Sequence, residues 1–358
     1  MYNRYELVAG ALSSDPQTAK NSAPAFYISD ERAYTSYKEM AVKESERSDG
    51  IEAVIIVTPN YLHYDMCKEF LSAGIDVICD KPLTTSTEDA LDLVKLVNKT
   101  GLVFGLTHEY TGFAIVRHAR EMVQEGMLGK IRMIQVEYPQ EWLSTKLEDT
   151  GAKQAVWRTD PAKSGPSAVL ADIGTHAIHT ARYITGLDVS EVCADLTTFI
   201  TGRKLEDNAH VMLRYENGAK GMLWASQCAP GGENDCKVRI YGEKGSLEWN
   251  LRWPNELFYS PLDGNHQIIS RGRGEMKPLA LFASRLPSGH AEGLHDGFGV
   301  IYRDIADAIV ERRYGIKANP LSKTYPKVEE GARMIKFIEA CLVSSKNNST
   351  WTSAKIEL

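Results

Sequence analysis

Three stretches of this sequence combine residue types that could do chemistry. The first is Asp80-Lys81-Pro82, directly after the apolar run Ile75 to Cys79. An ammonium group at a strand end is badly placed for packing and well placed to meet a ligand. It could polarise a hydroxyl or carbonyl oxygen, or hold a nucleotide ribose. The competing reading is a plain surface lysine in a loop. The second stretch is Asp172-Ile-Gly-Thr-His176-Ala-Ile-His179. On a helix, positions i, i+4 and i+7 share a face. A carboxylate beside an imidazole fixes its tautomer and raises its basicity, which prepares a general base near neutral pH. Two other readings stand beside this one. Asp172 could cap a helix that carries two surface histidines. Alternatively the three side chains could hold Zn or Fe for an isomerase or hydrolase, although a fourth ligand is not evident. The third stretch, Trp157-Arg158, lies just upstream. Arg158 could face an oxygen-rich or anionic substrate, or simply form a surface ion pair.

These groups need a scaffold, and the first third of the chain alternates strand-like and helix-like segments. Tyr5 to Leu12 reads as a strand, closed by Ser13-Ser14-Asp15-Pro16. A helix should follow to about Ala23, and another over Tyr34 to Glu46. Ala53 to Val57 is a short β-branched run suited to a strand buried on both faces, and Thr58-Pro59-Asn60 breaks it. Leu62 to Ala73 should be helical and stop at Gly74; Ile75 to Cys79 is another buried strand. Thr85 and Glu88 have capping-box spacing for a helix over Ser86 to Lys99, and Leu102 to Leu106 is a further strand. Repeated strand–helix units predict a parallel sheet with right-handed crossovers. In such a sheet, ligands bind at the carboxyl ends of the strands. The loops at Ser13-Ser14, Thr58-Pro59-Asn60 with nearby His63, and Asp80-Lys81-Pro82 therefore matter most.

After a helix at Ile115 to Glu125 the texture changes. Alternating segments at 130–138, 192–200, 209–215, 220–227, 237–241 and 246–250 read as mostly antiparallel strands. Turn signals such as Glu216-Asn217-Gly218 join several of them. One helix interrupts them at Ile173 to Thr185. Residues 252–293 look like a long irregular excursion, and helices at 297–312 and 328–344 close the chain.

Composition narrows the function classes. The chain has 358 residues, 43% hydrophobic and 25% charged, with a net charge of -6. That length calls for two domains. A mildly acidic chain without a basic block is a poor nucleic-acid binder. No run of 18 or more apolar residues is present to span a membrane, and Met1 to Tyr5 lacks the apolar core of a secretion signal. Six cysteines without CxxC or zinc-ribbon spacing suit a reducing, cytoplasmic setting.

Taken together, Thr58-Pro59-Asn60 with His63, then Asp80-Lys81-Pro82, then Asp172-x-Gly-x-His176, in this order and spacing, resemble the glucose–fructose oxidoreductase / inositol dehydrogenase / rhizopine catabolism (Gfo/Idh/MocA) family. Asp80-Lys81-Pro82 stands where the family has Glu-Lys-Pro. Glu125-Gly-Met-Leu-Gly-Lys-Ile131 and Trp157-Arg158 fit the same pattern, so the resemblance spans essentially the whole chain. It implies an α/β plus α+β architecture: a Rossmann-like doubly wound parallel sheet over residues 1–110, then a mostly antiparallel substrate and oligomerisation domain over 111–358. It implies hydride transfer between NAD or NADP and a sugar, cyclitol or related polyol. Lys81 would contact the nicotinamide ribose and the reacting oxygen. His176 would be the acid–base residue, with Asp172 its partner or a ligand for a substrate hydroxyl. Thr58, Pro59, Asn60, His63, Asp80 and Pro82 would line the cofactor groove, with Ser13 and Ser14 at the ribose. Two hydroxyls there lean towards NADP. Tyr110, Trp157, Arg158 and His179 would face substrate. A homodimer or homotetramer through the second sheet is implied, as is the alternative of a non-catalytic sensing relative. Retention of Lys81, Asp172 and His176 speaks against a sensor.

Two departures from the family are visible. The family opens with a strand and a GxGxxG-like loop, whereas no such motif precedes Tyr5, and Tyr5 to Leu12 matches the second strand of the fold. The expectation is that a strand–loop–helix unit on the order of 30 residues is lacking and that cofactor binding suffers. His179 also stands where the family often has an acidic residue.

Overall fold

The computed structural model describes residues 4–358. Its first sheet is built from β1 (Ala53–Ile56), β2 (Asp76–Cys79) and β3 (Phe104–Leu106), all parallel in the order β1-β2-β3. β2, in the middle, is buried along its whole length. β1 instead alternates: Val54 and Ile56 are buried, while Ile55 is 43% and Val57 69% exposed. The β-branched run is therefore covered on one face, not on two. Tyr5 to Leu12 is extended but is not a ladder strand. It makes one parallel bridge, Gly10 to Ala33, and leaves Leu7 and Leu12 exposed. An apolar run becomes a strand only where a neighbour supplies successive hydrogen bonds, and here only Gly10 has them.

The helices of this lobe are α1 (Pro16–Ser22), α2 (Tyr37–Glu46), α3 (His63–Ser72) and α4 (Thr87–Thr100). Ser86, not Thr85, caps α4, its side chain accepting the Asp89 N–H at 3.1 Å. Next come α5 (Ala114–Gln124), α6 (Lys153–Arg158), α7 (Pro161–Ser164) and α8 (Thr175–Thr185). A π-helical turn, Leu170–Gly174, runs directly into α8.

The second sheet holds nine strands: β4 (Ile131–Pro139), β5 (Val189–Thr197), β6 (Asn208–Tyr215), β7 (Lys220–Ser226), β8 (Lys237–Gly242), β9 (Gly245–Asn250), β10 (Glu256–Pro261), β11 (Gln267–Ser270) and β12 (Thr352–Ser353). Their order is β11-β10-β9-β8-β4-β7-β6-β5-β12, and only β4 and β7 run parallel. Residues 252–293 are not irregular throughout: they supply β10, β11 and α9 (Pro278–Ala283). Helices cover one face of this sheet. On the other, Met133, Met212 and Met222 are exposed, with Met212 directly opposite Met222.

Two long helices finish the fold, α10 (Leu294–Tyr314) and α11 (Val328–Lys346). Both return to the first lobe. Ile301 and Ile305 of α10 pack on Ile78 of β2. Gly105 permits this closeness, since a Cβ there would lie 2.2 Å from Ile305 Cδ1. Arg312 and Arg313 meet the buried Asp76 carboxylate at 2.6 and 3.1 Å. The Leu106 N–H donates to the Pro326 carbonyl at 2.8 Å, and Gly331 of α11 lies against Leu83 and Leu106.

Candidate active site

β1, β2 and β3 are parallel, so their carboxyl ends deliver Thr58, Asp80 and Thr107 to the same edge of the sheet. Asp80 and Thr107 are joined by a hydrogen bond from the threonine hydroxyl to the carboxylate. Lys81 then reaches across to the other lobe. Its Nζ donates to the Asp172 carbonyl at 2.5 Å and lies 3.1 Å from Asp172 Oδ1. The Lys81–Pro82 peptide bond is cis.

Asp172 sits inside the π turn. Its Oδ2 accepts from Gln227 at 2.7 Å, and Arg158 Nε lies 3.3 Å from Oδ1 without a hydrogen-bonding angle. Burial alone would raise the pKa of this carboxyl, but Lys81 and Arg158 hold it well below the ordinary range. The Arg158 guanidinium stacks 4.2 Å over the Trp157 ring, which fixes its plane.

His176, 5% exposed, follows on α8. It makes no hydrogen bond or ion pair with Asp172, although the nearby Asp172 charge favours its protonated form. The widened π turn lets Asp172 face Lys81 and Arg158, and π turns of this kind gather at functional sites. The carboxylate beside the imidazole belongs to Glu109, whose Oε2 lies 3.5 Å from His176 Nδ1. Neither ring nitrogen of His176 has a hydrogen-bond partner among the described residues. Burial, then Lys81, holds the His176 pKa well below its usual value, so the ring is neutral at pH 7. Glu109 moves the other way: burial pushes its carboxyl up to about 8, against a lowering pull from Lys81.

His108 completes the cluster. Its ring stacks on His179 at 4.0 Å and meets His176 edge-on at 5.5 Å. Both of its nitrogens are buried without partners, and burial keeps it neutral. His179 Nε2 lies 3.6 Å from Glu330 of α11. Tyr110 packs its ring 5.0 Å from His176, but its hydroxyl is committed to that of Tyr138. Glu109 and His108 have no motif of their own. The rule that singled out the loops after β1 and β2 would also have found them, because they follow β3.

Other expected groove residues serve as braces. His63 is fully buried, with its two ring nitrogens each 2.8 Å from a carbonyl oxygen, of Pro82 and of Thr58. It ties the loops after β1 and β2 together and does not wall a groove. Buried Asn60 donates to the Ser164 carbonyl at 3.0 Å and so links the two lobes. Pro82 is buried, whereas Thr58 and Pro59 are partly open. Ser13 and Ser14 precede α1 and make no bond to the cluster. Ser13 accepts the Asp15 N–H at 3.1 Å, and Asp15 caps α1 by accepting from Thr18 at 2.7 Å. Among the described residues no three metal-binding side chains converge; Asp172 and His179 face different partners.

The orphaned nitrogens of His108 and His176 beside Lys81, at the carboxyl edge of a parallel sheet, suit the nicotinamide and ribose end of a dinucleotide. For its pyrophosphate, the described residues offer no glycine-rich strand-to-helix turn.

Comparison with known proteins identifies related oxidoreductases. Residues 2–108 match the oxidoreductase family with an NAD-binding Rossmann fold, and residues 116–248 match the GFO/IDH/MocA C-terminal domain. The chain is 34% identical over 353 residues to the uncharacterized oxidoreductase YfiI of Bacillus subtilis (strain 168), covering 98% of this chain and 90% of the relative. A crystal structure of an oxidoreductase from Sinorhizobium meliloti superposes with a TM-score of 0.88 at 44% identity, covering 98% and 92% of the two chains. An inositol dehydrogenase homolog from Azotobacter vinelandii, complexed with NAD+, gives a TM-score of 0.92 at 32% identity, covering 98% and 90%.

Proposed function

The chain belongs to the GFO/IDH/MocA oxidoreductase family, and from that premise we propose that it is an NAD(P)-dependent dehydrogenase or reductase of a sugar, cyclitol or related polyol. One observation carries this reading. Lys81 crosses to Asp172 on the second lobe, beside a neutral His176 whose Nδ1 faces Glu109 and whose Nε2 has no hydrogen-bond partner among the described residues. A nicotinamide, when bound, exchanges hydride with the carbinol carbon of the substrate.

The protein's share is positioning and proton handling. Lys81 sets its ammonium against the substrate oxygen and eases the build-up of negative charge. His176 takes the hydroxyl proton in oxidation and returns it in reduction. Glu109, facing Nδ1, compensates the imidazolium so formed. Asp172, held ionised, orients Lys81 and offers an acceptor to a second hydroxyl. Arg158 on the Trp157 ring adds a fixed donor face. His179 and Tyr110 shape the wall behind His176 rather than touch substrate.

In this proposal residues 1–110 form the cofactor lobe and 111–358 the substrate lobe, with α10 and α11 lent back to the former. The cofactor is NAD or NADP. The Asp15 carboxylate, which could bind a ribose 2′-hydroxyl, is spent on capping α1, and this favours the 2′-phosphate form next to Ser13 and Ser14. The exposed methionine face of the nine-stranded sheet supports pairing with a second copy, as dimer or tetramer. No helix among the described residues is long and apolar enough to cross a membrane, and the six free cysteines favour a reducing, cytoplasmic setting.

The test is a screen of sugars and cyclitols with NAD and with NADP. The best substrate should show a primary isotope effect when its carbinol C–H is deuterated. Failure of every polyol with both cofactors would remove the proposal, and a lower KM for NAD than for NADP would reverse the cofactor preference. Light scattering in solution reports the oligomer, and a monomer would remove that part.

A further inference from the structure

One turn beyond His179 on α8, Arg182 lines a cavity of about 460 Å³ bounded by β5, β6, α11 and the C-terminal tail. Small-molecule sites commonly have volumes of roughly 300–1,000 Å³. Met334 and Phe337 of α11 give it an apolar wall. Its charged lining is balanced: Arg182, Arg333 and Lys355 against Asp188, Glu216 and Glu357. Arg182 already pairs with Asp188 and Glu330, each at 2.5 Å, and Arg333 lies 3.3 Å from Asp188. With three cations against three anions, the lining offers no net charge to an ion of either sign. A neutral molecule with several hydroxyls could instead accept from the guanidinium groups and donate to the carboxylates. Tyr215, also in the lining, is 4% exposed, and its hydroxyl has no partner. A buried hydroxyl left unmatched is costly, and a ligand that draws the Tyr215 ring towards the cavity would satisfy it.

We propose that this cavity is a second small-molecule site, separate from the redox cleft, that takes a neutral polyhydroxylated compound of monosaccharide or cyclitol size. Its occupant reaches the cleft through side chains already in contact. Arg182 holds Glu330, Glu330 faces His179 at 3.6 Å, and His179 stacks on His108 at 4.0 Å. Drawing Arg182 towards a ligand leaves more of the Glu330 carboxylate to His179 and changes the charge on the wall behind His176.

The proposal does not depend on the redox reading, and the test keeps them apart. Glucose and myo-inositol are titrated calorimetrically into the full chain carrying Asp172→Asn, which disables the cleft. At least one of them should bind with a stoichiometry of one. Adding Ile356→Trp, which fills the cavity from the tail, should weaken that binding tenfold or more. Adding Tyr215→Phe, which removes only the hydroxyl, should weaken it several-fold. The His179 ring resonances should shift with the same dissociation constant. No binding of either sugar to the Asp172→Asn chain would overturn the site. So would undiminished binding in a natively folded Ile356→Trp variant. Unmoved His179 resonances would overturn the link to the cleft. Absence of polyol oxidation, by contrast, bears on the proposed activity alone.

Discussion

Glu109 Oε2 lies 3.5 Å from Nδ1 of His176, and burial raises the Glu109 carboxyl to about pH 8. A neutral carboxyl and a neutral imidazole therefore face each other at pH 7. The pair becomes a carboxylate and an imidazole only as the pH passes about 8. In the proposed reaction, ionised Glu109 stabilises the imidazolium that forms when His176 takes the substrate proton. Turnover in the oxidative direction should rise through about pH 8, and Glu109→Gln should abolish that rise while leaving activity near pH 6. A pH–kcat profile of both proteins decides the matter; an unchanged rise in the variant removes Glu109 from the proton path.

The same carboxyl makes stability depend on pH. Between about 4.5 and about 8 the folded chain keeps the Glu109 proton that the unfolded chain has lost, so unfolding releases a proton and stability falls as pH rises. The slope is at most about 1.4 kcal/mol per pH unit in that window. The difference in unfolding free energy between wild type and Glu109→Gln should therefore narrow, then turn in the variant's favour, from pH 5 to pH 8. Urea titrations at those two values measure it. A constant difference would show that Glu109 is not held protonated.

Lys81 and His176 should fail differently. His176→Ala should lower turnover on the order of 10²–10⁴-fold with little change in cofactor dissociation, since general acid–base catalysis contributes on that scale. Lys81→Ala should impair both, if its ammonium serves the ribose and the reacting oxygen as the family resemblance implies. Fluorescence titration with NADH beside steady-state kinetics separates the two. Near wild-type turnover in either variant would end the assignment of that residue.

Gly112 closes the turn that carries Glu109 and Tyr110. A Cβ there would lie 2.1 Å from the Gly297 carbonyl oxygen, so the α10 backbone or the turn must move. Gly112→Ala should cost about 1–3 kcal/mol, as overpacking does, and should also lower turnover because Glu109 shifts with the turn. Wild-type stability would mean that α10 can yield at this point.

Arg117 and Asp304 form a fully buried ion pair between α5 and α10 at 2.6 Å, and Arg303 adds a second contact to the same carboxylate at 2.7 Å. Asp304→Ala takes the counter-charge from two guanidinium groups and should destabilise the chain by about 3–5 kcal/mol. Chemical denaturation gives the value directly; a loss below about 1 kcal/mol would contradict the role assigned to the pair.

The sequence made some elements and residues legible and hid others, for physical reasons. β2 is a short β-branched run bounded by Gly74 and Pro82, and α4 ends at Gly101 in a left-handed conformation; both carry their punctuation with them. Lys81 and Arg158 stood out because a charge beside an apolar run is conspicuous, and the structure brings them to Asp172. Glu109 did not stand out. Its partner is 67 residues away (176 − 109), and local spacing says nothing about such a pair. The π turn was invisible for a related reason: Asp172 and His176 have helical spacing, and only the widened turn separates their partners. Tyr5 to Leu12 misled because apolar content does not report whether a strand has a neighbour. β10 and β11 were hidden by the glycine, proline and polar residues around them, and strands near a sheet edge tolerate such residues.

The return of α10 and α11 to the first lobe bears on how the protein is made. Ile78, Leu83 and Leu106 belong to the first third of the chain, yet their cover arrives with Ile305 and Gly331. On the ribosome, the parallel sheet emerges long before the helices that shield it. The early lobe must therefore wait with apolar surface bare until α10 and α11 have emerged, the interval in which a chaperone would be most needed.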